Sequence, residues 1–364
     1  SSILNAGSGA LMVGASDAAN VDTVIATASG ALGAAIGVVT NIITTDHSTG
    51  VVVTGTSTDK SSLTGTSVSV DADAKEGISS LLIAASGAQY AAVSASVNVN
   101  RQLSDVSAAV DQTEVLGSFA QNANYLGRIT TSAITAAGSQ YAAVPISVVI
   151  NYADNAVSSS VAHSILRAEG QSASVGANRI SEFSSLNVTA SGAMYGAAAG
   201  LVNVNTIEGA TSAEVNDSEV KAGQFSVNAE NEDHLKVTDV TATGAIGSLG
   251  ASVVVSYFKG SSAANLRNSI VTADKLTVSS LQDHYVNGTV AFASGGIGTI
   301  SANVFSLVIG SGDNPFASNR QDLGSAEDTV NKYLSDYASS GTGSLGFITE
   351  NDELTPVSYT HLTL

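Results

Sequence analysis

The chain has 364 residues, with 13 Lys and Arg against 31 Asp and Glu, a net charge of −18. That balance excludes nucleic acid as a partner, because phosphate backbones are held by clustered Lys and Arg. Charged residues make up only 12% of the chain and cysteine is absent, which excludes a helix-rich, salt-bridged surface and any disulfide framework.

The first residues, Ser2-Ile3-Leu4-Asn5-Ala6 and Ala10-Leu11-Met12-Val13, read as the second half of a repeat, cut at the amino end. The repeat itself is clearest at Ala85-Ser86-Gly87-Ala88-Gln89-Tyr90-Ala91-Ala92-Val93. Related stretches place their glycine at 30, 87, 138, 192, 244 and 295, at spacings of 57, 51, 54, 52 and 51 residues. Self-similarity at one period sets the architecture before any local motif is weighed. No apolar run reaches the roughly 18 to 20 residues of a membrane helix.

Inside each unit, apolar and polar residues alternate: Val97 and Val99 against Asn98 and Asn100, Phe225 and Val227 against Ser226 and Asn228, Leu276 and Val278 against Thr277 and Ser279. Period-two alternation predicts half-buried strands with the apolar set inward. Gly, Asn, Asp and Ser between the strands supply turns. Proline is scarce, with Pro145 the only one inside the repeats, as an uninterrupted strand stack requires. The expected fold is all-β: a parallel β-solenoid over residues 1–310, of about six repeats of roughly 52 residues. Each repeat is expected to hold four short strands in two coils, giving a rod of roughly 55–60 Å at about 4.8 Å per coil.

Identical positions then stack as ladders. Tyr90, Tyr141 and Tyr195 form one expected column, an aromatic stack. Asn98 and Asn203, with Asn100, Asn151 and Asn205, form others, expected to bridge coils at stacked turns through their amides.

Residues 311–356 break the pattern. Ser325 as N-cap and the spacing of Val330, Tyr333, Leu334 and Tyr337 predict one short helix over about 325–339, an insertion or a local cap. Residues 357–364 look like a translated sequencing adapter, an artefact of assembly.

Chemistry is sparse. A cysteine nucleophile is impossible, and the sequence points to no catalytic residue, metal ligand or cofactor site. His234 and His284 occupy nearly matching places in adjacent units, which repeat inheritance explains. Asp71 and Asp73 alternate on one strand face beside Lys75 and read as a solvated edge. Asn187-Val188-Thr189 and Asn287-Gly288-Thr289 match glycosylation sequons.

The S-G-A-x-Y/G-A-A stretch, the Val97-Asn98-Val99-Asn100 strand and the Ser218-Glu219-Val220-Lys221-Ala222-Gly223 to Ala229 unit resemble large bacterial adhesins of the filamentous haemagglutinin and leukotoxin kind, over residues 1 to about 310. The resemblance implies a non-enzymatic rod of an adhesin, secreted or on the outer-membrane surface of a Gram-negative-type bacterium. Export through an outer-membrane transporter barrel is implied with it, as is attachment to receptors or glycans on host or bacterial cells. The alternatives are a polysaccharide-degrading β-helix enzyme and a toxin passenger of an autotransporter or two-partner secretion system.

Overall fold

A computed structural model describes residues 2–310. The expected helix over 325–339 and the closing 357–364 lie outside the described residues. The described chain is almost entirely strand, in the order β1 (Ile3–Asn5), β2 (Ala10–Ala31), β3 (Ala34–Thr54), β4 (Ser61–Ala88), β5 (Ala91–Asp111), β6 (Thr113–Ser139), β7 (Ala142–Ala162), β8 (Ile165–Gly192), β9 (Gly196–Asn216), β10 (Glu219–Gly244), β11 (Gly247–Arg267), β12 (Ile270–Gly295) and β13 (Gly298–Ile309). Strands β1, β2, β4, β6, β8, β10 and β12 form one sheet, and β3, β5, β7, β9, β11 and β13 form the other. Every neighbouring pair is parallel. This is a parallel β-solenoid flattened into two facing sheets.

The coil differs from the expected one. Each repeat is a single coil of two long strands, not two coils of four short ones. Strands β5, β7, β9 and β11 each run 21 residues, about 70 Å at 3.3 Å per residue, while six coils stack to only about 29 Å. The described body is therefore longest along its strands, and the 55–60 Å rod is corrected to a broad slab. The physical reason lies in the corners. A tight corner needs positive φ or an equivalent break. At the corners after β5, β7, β9 and β11 one non-glycine residue adopts φ of 47–48°: Gln112, His163, Asp217 and Asn268; the corner after β3 is a longer loop. The glycine-tyrosine stretch makes the other corner. The Asn and Ser positions between them have no such conformation and continue the strand.

Spacings that depart from 51 are absorbed locally. The three extra residues of the 54-residue repeat enter β8 as a bulge, where pairing with β6 jumps from Leu116–Arg167 to Phe119–Ala173. Gly170 there has φ of 69°. Most of the 57-residue spacing sits in the loop between β3 and β4. Insertions at bulges and loops keep every column beyond them in phase.

The core is not uniform along the strands. Near the positive-φ corner it is apolar: Val68, Val70, Phe119, Val175, Phe225 and Val227 face Val106, Val110, Val157, Val161 and Val215. A second cluster around Ile78, Ile129, Phe183, Leu235, Ile207 and Phe258 lies further along. Towards the glycine-tyrosine corner the interior is lined by Ser94, Ser96, Asn98, Asn100, Thr135, Ser147 and Asn151, all buried.

Candidate interaction surface and polar interior

The tyrosine column forms as the spacing predicts. Tyr90, Tyr141 and Tyr195 stack with ring centroids 5.4 and 5.3 Å apart and planes 14–15° from parallel. They stand at the glycine-tyrosine corner, about half exposed. Backbone bonds tie this corner from coil to coil, for example Gln140 N to Gln89 O and Gly196 N to Tyr141 O.

The asparagine columns form too, but not at turns. Asn98, Asn100, Asn151, Asn203 and Asn205 lie in mid-strand, at most 1% exposed, with side chains directed between the sheets. Asn100 Nδ2 donates to Asn151 Oδ1 at 3.0 Å, and Asn151 Nδ2 donates to Asn205 Oδ1 at 2.9 Å. Asn41 donates to Asn98 at 3.2 Å. The opposite sheet answers with hydroxyls: Asn98 Nδ2 donates to Ser80 Oγ, and Thr131 Oγ1 donates to Asn151 Oδ1. An amide offers two donors and two acceptor lone pairs, so it can serve the coils on either side and the facing sheet together.

This corrects the facing of Val97 and Val99. The parity of β5 puts Ser94, Ser96, Asn98 and Asn100 inside and Val93, Ala95, Val97 and Val99 outside. The inference of apolar-in holds for Phe225 and Val227, which are buried, and fails here because the interior column is satisfied by its own hydrogen bonds. Alternation fixes which residues share a face; it does not say which face is inward.

The register makes the outward column explicit. Thr40, Val97, Val148, Val202, Val253 and Val304 are successive partners across the second sheet. The column beside it reads Ile42, Val99, Ile150, Val204, Val255 and Ser306, and the one on the other flank Val38, Ala95, Ile146, Gly200, Ala251 and Ala302. In the inner coils Ile146 is still 44% exposed and Val202 37%. On the first sheet, near the same corner, Ala26, Ile83, Ile134, Val188, Val240 and Ala291 also form one column. Its parity places Ile83, Ile134 and Val188 outward.

A sequence signal for this edge lies in the placement of charge, which the repeat period alone does not reveal. Residues 23–45, 77–100, 129–153, 183–207 and 240–258 contain no Asp, Glu, Lys, Arg or His, and the sixth window, 285–310, is likewise free of them. The charge is segregated to the other half of each coil. There Arg128 pairs with Glu182, Arg167 with Glu114 and Lys259 with Glu208. Arg101 sits 5.5 Å over the Tyr152 ring and Lys259 5.7 Å over Tyr257, marking the line where the uncharged face ends.

Among the described residues, four Asp, Glu or Arg side chains are buried inside the slab. Arg179 and Asp233, both fully buried, pair at 2.9 Å. Arg179 Nε donates to Asn231 Oδ1 at 2.9 Å, and another guanidinium nitrogen donates to the Glu208 carbonyl. Burial pulls the guanidinium down, and Asp233 opposes that. The room comes from Gly260, where an added Cβ would lie 2.5 Å from Asn231 Nδ2 and 2.6 Å from an Arg179 nitrogen. His284 completes the group, its Nδ1 3.1 Å from Asp233 Oδ2. Elsewhere Glu76 takes bonds from Ser104 and Thr45 Oγ1, and burial raises its carboxyl above the ordinary range. Asp239 accepts from Asn187 Nδ2 at 2.7 Å and Asn203 Nδ2 at 3.2 Å; burial outweighs both donors and lifts it to about 6.

Other sequence candidates separate. His234 and His284 are not register equivalents: His234 pairs with Tyr285, and Asp233 with His284. One histidine consequently faces outward and the other inward, which a near-match in spacing conceals. Asp71 and Asp73 are outward in mid-strand rather than at an edge, accepting from Asn122 and Asn124 at 2.9 and 2.8 Å. Asn187 is fully buried and bound to Asp239, so its sequon offers no acceptor; Asn287 is exposed. Among the described residues no group of three or more His, Cys, Asp or Glu could hold a metal, and no helix is long and apolar enough to cross a membrane.

The chain is thus a two-sheet parallel β-solenoid with a charged half, a hydrogen-bonded polar interior and an uncharged outer edge. No protein-family model matches it, and no curated protein or solved structure does.

Proposed function

We propose that the chain is a structural segment of a large exported bacterial adhesin, working through broad surface contact rather than catalysis. The observation that carries this reading is the uncharged outer face, repeated in phase on six coils. Monomeric proteins seldom leave a contiguous apolar face of this extent to water, and larger ones mark interaction sites. A solenoid multiplies one modest contact by the number of coils, which suits attachment by many weak contacts. The haemagglutinin- and leukotoxin-like motifs support the adhesin assignment, display outside the cell and export through an outer-membrane barrel.

The test is binding of the purified chain to cultured host cells, extracellular matrix and immobilised glycans, with a glycan-degradation screen in parallel. Saturable binding without cleavage is expected. Robust glycan cleavage would contradict the reading, as would absence of binding to all three surfaces.

A further inference from the structure

We infer that the outer face of the second sheet packs against the same face of a second copy of this chain. The inference rests on the reading of this face as a contact surface and names its occupant.

Three observations select a second copy. The first is period. Val97, Val148, Val202 and Val253 repeat one β-branched side chain in register from coil to coil, at about 4.8 Å. A partner surface that interdigitates with such ridges along the whole face needs the same spacing, and an identical solenoid has it. Facing sheets of this kind close to about 10 Å as sandwich layers and dry zippers do.

The second is area. Four outward columns, the three above and the one of Ile36, Val93 and Val144 continued by Ala198, Leu249 and Ile300, spaced about 6.6 Å along the strands, span about 26 Å, and six coils span about 29 Å. The face is therefore on the order of 750 Å². Two copies would bury about 1,500 Å² in all, within the roughly 1,200–2,000 Å² of stable specific interfaces.

The third is charge. A chain of net −18 repels its own copies unless the contact keeps the charges apart. Here the uncharged windows hold the face, and the ion pairs such as Arg167–Glu114 and Arg128–Glu182 lie elsewhere. The stacked Tyr90, Tyr141 and Tyr195 rim one end of the face and the Arg101–Tyr152 contact the other. A polar or aromatic rim around an apolar centre is the usual anatomy of a protein interface.

The experiment is sedimentation velocity of the full chain over a wide concentration range, on wild type and on Val148→Lys. Val148 is at the centre of the face and outward, so lysine there charges the contact while far-UV circular dichroism checks that the coil is kept. A reversible dimer is expected for wild type, with the dissociation constant at least tenfold weaker in Val148→Lys. A second measurement does not depend on a disruptive variant. The chain has no cysteine, so Val148→Cys carrying one spin label reports intermolecular distance alone, and a short label-to-label distance of about 10–25 Å follows from sheets packed about 10 Å apart. A monomer at all concentrations would overturn the inference. So would a dimer unaffected by lysine at 148 with labels far apart, which would place association at the solenoid ends, and so would uptake by phospholipid vesicles in place of dimerisation. Cell and glycan binding are scored separately, so a dimer without attachment would reject the adhesin reading and leave this inference standing.

Discussion

Replacing Asp239 by asparagine is expected to stabilise the fold at neutral pH. Asp239 is fully buried, and its carboxyl, at about 6, lies above the roughly 3.9 of an unfolded aspartate. The folded state therefore binds the proton more tightly than the unfolded one between pH 4 and 6. Stability falls as pH rises through that window; the penalty is absent below about 4 and complete above about 6. The rise from about 3.9 to about 6 corresponds to roughly 3 kcal/mol. Asparagine keeps the shape and an acceptor for Asn187 and Asn203. With its oxygen at the Oδ1 position, the asparagine still accepts from Asn187 Nδ2 at 2.7 Å and Asn203 Nδ2 at 3.2 Å. The assay is urea unfolding followed by circular dichroism at pH 4, 5, 6 and 7.5. Asp239→Asn should exceed wild type by about 1–3 kcal/mol at pH 7.5, with the difference vanishing near pH 4. A variant less stable than wild type at pH 7.5 would show that the two amide donors more than offset burial, and would refute the reasoning.

Two further outcomes follow from the same interior and its corners. Asp233→Ala leaves the Arg179 guanidinium buried without its counter-charge and should cost about 3–5 kcal/mol in the same urea assay. Gln112→Gly relieves a left-handed backbone at φ 47° and should raise stability by up to about 1 kcal/mol, read as a higher urea midpoint with unchanged slope.

How much of this was legible in the residues divides along physical lines. Columns were legible, because a stacked repeat converts sequence period into spatial neighbours: Tyr90, Tyr141 and Tyr195 were placed together by spacing alone. Coil geometry was not. The alternation of β5 continues through Asn98 and Asn100, and reading those asparagines as turn residues split one long strand in two. Facing was legible only where the alternation sets large apolar residues against small polar ones, as at Phe225 and Val227. At Val97 to Asn100 both faces are plausible from composition, and the choice is made by amide and hydroxyl partners 18 to 54 residues away. The uncharged windows were present in the sequence throughout, but their meaning depends on knowing that both halves of each window meet at one corner.

The buried Arg179–Asp233 pair shows the same limit from the other side. The two residues are 54 apart, one repeat, and each alone reads as a surface charge on an alternating strand. Only the register, which pairs Arg179 with Asn231 and Ser181 with Asp233, puts them on adjacent inward positions with Gly260 making space.

The central claim is that each repeat is one coil of two long strands. Its most direct test is the distance between the two corners at the ends of β7, measured by double electron–electron resonance on spin labels at Gln140→Cys and His163→Cys in the otherwise cysteine-free chain. An extended strand between them predicts about 65–75 Å. A distance below about 40 Å, as two short coils per repeat would give, would contradict the account.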